Sequence, residues 1–178
     1  MNRILAGALA LTLWLGISAA SAQDVSIKAF KGQWGGSAVA NNRDSLYFGV
    51  TIRDLDVTIT PKAGNFTISW TTVIRRGSTP SNPKVRKKSV TMAFVSAGRK
   101  GVWRLASSGD MLRGSPYGWA RIAKRTLTIY LMEIDARGIY TLARYARKLS
   151  GSGMDLEFTA LRDGEPARIV RGKMVRNR

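Results

Sequence analysis

The chain has 178 residues, 44% of them hydrophobic, and its 29 Lys+Arg against 11 Asp+Glu give a formal net charge of +18. It contains neither cysteine nor histidine. That excludes disulfides, thiolate nucleophiles, Ser-His-acid triads and ordinary zinc sites, and leaves any catalysis to carboxylate, lysine, tyrosine or serine.

Arg3, the apolar run ILAGALALTLWLGISAA (4–20) and the small-x-small triplet Ala20-Ser21-Ala22 read as a signal peptide over residues 1–22, cut before Gln23. The expectation is an exported protein, periplasmic or secreted, with residues 23–178 as one domain. Next comes AFKGQWGG (29–36), which places Gly32, Gln33 and Trp34 near the start of the mature chain. LDVTIT (55–60) alternates apolar and polar residues, the period of a half-buried strand, and Pro61-Lys62-Ala63-Gly64 turns it into NFTISWTTVI (65–74). RGSTPSNP (76–83) reads as a loop, and the basic cluster KVRKK (84–88) behind it as a mobile basic segment.

KSVTMAFVS (88–96) and VWRLAS (102–107) read as strands around a glycine turn, followed by the loop SGDMLRGSPYG (108–118). WARIAKRTLTIYLMEI (119–134) reads as one long β run, and Asp135-Ala136-Arg137-Gly138 as a turn. IYTLARYARKLS (139–150) fits a strand, with a helical stripe as the competing pattern. MDLEFTAL (154–161), a turn at Arg162-Asp163-Gly164-Glu165 and ARIVRGKMV (167–175) complete the chain as a hairpin.

Short strands in hairpin succession predict an all-β fold. The expected form is an antiparallel up-and-down barrel of about 8 strands, with a β-sandwich as the alternative. The Gly32-Gln33-Trp34 triplet ahead of such a meander resembles the calycin superfamily (lipocalins, fatty-acid-binding proteins, the avidin group). The overall pattern is also similar to small exported proteins of Gram-negative bacteria. The lipocalin likeness implies that Trp34 plugs one end of the barrel. It also implies that a basic residue from the last strand packs on the ring: Arg168, Arg171 or Arg176, with Arg171 assigned alongside Trp34 as the plug.

Three further groups are candidates. Trp70, Trp103, Trp119, Tyr130 and Tyr140 lie on or beside predicted strands and are the expected ligand-binding aromatics. Arg75, Arg76, Lys84, Arg86, Lys87, Lys88, Arg99 and Lys100 fall in a stretch without any acid between Asp56 and Asp110, and are the expected polyanion-binding set. The carboxylate pairs Asp54/Asp56, Glu133/Asp135 and Asp155/Glu157 have the spacing that puts both members on one strand face. Paired acids could serve glycoside hydrolysis. The favoured reading makes them surface ion-pair partners of residues such as Arg144 and Lys148, so no enzyme is expected, and neither a metal nor a cofactor.

The functional expectation is a non-catalytic binding protein that holds a small amphipathic or anionic ligand in its barrel. The alternative is a surface interaction protein docking through residues 75–104 on envelope polyanions (anionic lipid, lipopolysaccharide, acidic glycan) or on an acidic protein. Nucleic acid is set aside because export separates the two.

Overall fold

A computed structural model describes residues 24–42, 51–76 and 84–177, with side chains described outside 40–42, 51–54, 74–76 and 84–86. The proposed signal peptide and the 77–83 loop therefore lie outside the described residues. Ten strands form one closed barrel: β1 (Gly32–Asn42), β2 (Thr51–Lys62), β3 (Asn65–Arg76), β4 (Lys84–Ser96), β5 (Val102–Leu105), β6 (Tyr117–Ala123), β7 (Thr126–Ile134), β8 (Tyr140–Ser150), β9 (Gly153–Arg162) and β10 (Glu165–Arg176). Every strand pairs antiparallel with its neighbours in sequence, and β10 returns to β1 to close the ring. Barrel closure rules out the sandwich.

The count is ten rather than about eight, because 119–134 is two strands and Gly32–Asn42 adds another ahead of the segments read as strands. Lys124 takes a left-handed φ of 54° and the chain reverses between Ala123 and Thr126 without glycine or proline. The KVRKK cluster is likewise not a mobile loop: β4 begins at Lys84 and pairs with β3 from Arg76 onward. Residues 140–150 form a strand, in keeping with the first of the two patterns considered for that segment.

Strand alternation sorts the side chains into two phases. Val57, Ile59, Phe66, Ile68, Phe94, Leu127, Ile129, Met154 and Met174 point inward and are buried. The outer phase carries Asp56, Arg104, Arg121, Arg144, Lys148, Asp155, Glu157, Arg171 and Lys173. A polar outside around an apolar inside is the reverse of a lipid-facing barrel.

The two ends differ. At one end lie the tight turns β2–β3, β6–β7 and β8–β9, together with a 3-10 turn over Ile27–Phe30. There Phe66 and Phe94 stack at 4.9 Å, and Trp103 meets Phe66 edge-on at 5.4 Å. Each such ring removes enough apolar surface from water to stabilise the fold by about 1.5–3 kcal/mol. Closure also needs close backbone approach between β1 and β10. A Cβ on Gly36 would lie 2.1 Å from the Lys173 carbonyl oxygen, and one on Gly172 would lie 2.4 Å from that of Ser37. Only glycine fits at that seam.

Candidate functional site

At the other end the inner side chains are less completely covered, and on that account the two halves are called narrow and wide. Trp70 on β3, Tyr145 on β8 and Phe158 on β9 point inward yet are only half-buried. Trp70 and Tyr145 lie 5.1 Å apart by ring centroid, and Tyr145 and Phe158 lie 4.7 Å apart. Beside them stands Arg147, 1% exposed, with its guanidinium carbon 5.4 Å from the Trp70 ring and 5.6 Å from Tyr145.

Arg147 sits inside because β8 alternates. Ala143, Tyr145, Arg147 and Leu149 share the inner phase, opposite Ala160, Phe158, Leu156 and Met154 of β9. Its Nε and Nη1 are buried without a hydrogen-bond partner, and among the described residues no carboxylate pairs with it. Burial pulls its pKa down to about 10, and the nearby Tyr145 hydroxyl only partly offsets that. Burial also pushes the Tyr145 hydroxyl up, against the field of Arg147. Glu133 raises and Arg168 lowers the same hydroxyl, so both lie within electrostatic reach of this interior. A buried guanidinium without an anion is costly, because the ring faces replace only a fraction of its lost hydration.

The expected binding aromatics do not converge. Trp70 lines this interior. Trp103 is instead packed in the narrow end, its Nε1 donating to the Gly64 carbonyl at 2.7 Å, which fixes it as core. Trp119 and Tyr130 stack at 4.8 Å on the outer wall, because Ala120 and Ile129 take the inner positions. Tyr140 is an outer-phase residue at the start of β8, on the rim of the wide end. Tyr145, Phe158 and Arg147 were missed. For Tyr145 and Arg147 the signal is their shared phase with Ala143 and Leu149 on β8, and for Phe158 it is the alternation with Met154 and Leu156 on β9.

The basic set is also dispersed. Arg75, Arg76, Lys84 and Arg86 have side chains outside the described ones. Lys87 and Lys88 are exposed in the wide half, while Arg99 and Lys100 sit on the β4–β5 turn at the narrow end. The length of β4 separates the two pairs, so these four do not form one patch.

Trp34 is 3% exposed at the narrow end, and its Nε1 donates to the Phe30 carbonyl at 3.1 Å. The guanidinium over its ring belongs to Arg176, 4.6 Å from the centroid, and the same side chain donates to the Ala29 carbonyl at 3.0 Å. Arg171 is not that partner. It sits in the outer phase of β10 and donates to Glu157 at 3.1 Å. Arg144 donates to the other Glu157 oxygen at 2.8 Å, and these two hydrogen bonds hold the carboxyl below its usual range.

Glu157 and Asp155 border an outer-wall groove of about 570 Å³, lined also by Arg144, Lys148, Arg171 and Lys173. Of the other acid pairs, Asp135 accepts from the Arg137 and Ile139 amides in its turn. Asp56 and Glu133 are exposed, and the Asp54 side chain lies outside the described ones.

No family model matches this sequence, and no curated protein does. Among solved structures, the S-type phycobiliprotein lyase CPES from Guillardia theta is similar, with a TM-score of 0.37 and 12% sequence identity. The match covers 86% of this chain and 94% of that one. That structure bears the name of a lyase, and the expectation that this chain is no enzyme is withdrawn.

Proposed function

We propose that the barrel binds a small amphipathic molecule through its wide end, with an anionic group of that molecule seated on Arg147 and its apolar body against Trp70, Tyr145 and Phe158. The observation that carries this reading is the fully buried guanidinium whose Nε and Nη1 have no partner. Nε and Nη1 donate from different edges of the guanidinium, so a carboxylate or phosphate would accept from one of them and neutralise the charge. The half-buried rings offer apolar and aromatic surface around one placed charge, the usual make-up of a small-molecule site. The sequence features of residues 1–22 support placing the mature barrel outside the cytoplasm, where such a molecule would be met.

Oleate tests the reading, with oleyl alcohol as its uncharged counterpart and a planar anionic dye such as anilinonaphthalene sulfonate as a second probe. Binding is followed by quenching of tryptophan fluorescence and by the shift in melting temperature. The expected result is that at least one anion binds, the alcohol binds at least tenfold more weakly, and Arg147→Met removes the preference. Equal binding of acid and alcohol, or an undiminished preference in Arg147→Met, overturns it. So does failure of both anions to bind.

A further inference from the structure

The wall of the barrel is not uniformly paired. β4 has 13 residues and β5 only 4, and the two pair over Phe94–Ser96 alone. The last backbone bond on that side of β4 runs from the Ala106 amide to the Ala93 carbonyl. In an antiparallel strand alternate residues present both amide groups to the same edge. The groups of Thr91, Ser89 and Lys87 therefore continue the edge that Ala93 begins. Among the described residues nothing on the β5 side pairs with them. The chain leaving β5 leans on β7 through the 3-10 turn Met111–Arg113 rather than running along β4.

We infer that this edge of β4 accepts an extended acidic segment of a partner protein as an added strand. Three observations argue for that occupant. Lys87, Ser89 and Thr91 are exposed, with free backbone donors and acceptors in a row, the template that strand addition uses. On the inner side of the same strand Val90 and Met92 are only half-buried, so alternate apolar residues of an incoming strand would gain cover there. The flanking charge is of one sign: Lys87 and Lys88 on β4 and Arg104 on β5 are exposed, and no acid occurs between Asp56 and Asp110. A second copy would bring further lysine and arginine to an edge without any acid, so this charge disfavours a second copy and attracts an acidic strand.

The test uses the whole protein and a short labelled peptide of alternating glutamate and valine, read by fluorescence anisotropy. Controls are the same peptide methylated on its pairing-edge amides and a lysine–valine peptide. The expected result is saturable binding of the glutamate peptide, weakened at least tenfold by backbone methylation and absent with lysine. Hydrogen exchange at Lys87, Ser89 and Thr91 should slow on binding. Ser89→Pro, which removes one edge donor at a position where proline is tolerated, should weaken binding by a similar factor. Equal binding of the methylated peptide, unchanged exchange at those amides, or dimerisation of the protein in place of peptide binding overturns the inference.

Discussion

The narrow and wide halves of the barrel are built from the same ten strands and differ in what fills them. In the narrow half, Phe66, Phe94, Trp103, Leu127, Met154 and Met174 interlock, and each buried indole N–H meets a carbonyl. In the wide half the inner positions hold Trp70, Tyr145 and Phe158, half in reach of solvent, around a charge that lacks an anion. The lesson is one of division of labour. Packing that satisfies every group secures the fold, which lets the other half keep an unsatisfied one.

Deleting a ring from each half gives the largest expected contrast. Phe94→Ala should cost about 3–5 kcal/mol in urea-induced unfolding, because the stacked Phe66 cannot follow into the cavity. Phe158→Ala should cost less than half as much, since its ring already borders solvent. Equal losses would erase the distinction between the halves.

A change of opposite sign is expected at Arg147. Arg147→Met should stabilise the unliganded protein by about 1–3 kcal/mol, since it removes two buried, unpaired donors while keeping the volume. The pH dependence sharpens this. With a folded pKa of about 10, below the ordinary arginine value that the unfolded chain keeps, the unfolded chain holds more protons in between. Wild-type stability from this group therefore rises as pH climbs past about 10, and the advantage of the methionine variant shrinks there.

The smallest expected effect lies on the outer wall. Glu157 has a lowered pKa through Arg144 and Arg171, so its contribution is complete above about pH 4.3 and is lost as pH falls through the folded value. Because the pair is more than a third exposed, Glu157→Gln should cost no more than about 1 kcal/mol at neutral pH. The difference from wild type should close in urea titrations as pH falls below the ordinary glutamate range.

Much of the fold was legible because period-two alternation survives wherever one face is buried, as in LDVTIT and MDLEFTAL. The missed hairpin shows where the pattern was read too coarsely. Inner residues are even-numbered through Ala120 and Ile122 and odd-numbered from Leu127, and that slip of phase marks the turn that Lys124 makes without a glycine. The site was harder to see. In β8, Arg144 and Arg147 are three apart, so a strand puts them on opposite faces, whereas a helix would put them on one. With a helix as the competing pattern, nothing in the spacing singles out Arg147 among the 29 Lys and Arg. The aromatic candidates failed for another reason: composition shows that Trp119 and Tyr130 can stack, but only the register shows on which side of the wall they do so.

The closing seam has a consequence for how the chain comes to be folded. Arg176 reaches back to Ala29 across 147 residues, and β1 has no partner on one side until β10 arrives. The ring therefore cannot shut until its last strand is present, and the long return of that strand makes closure a late step. A polypeptide whose ring shuts only on its tenth strand stays open until that strand is made. It then locks in a single motion that sets a C-terminal guanidinium over the ring of Trp34.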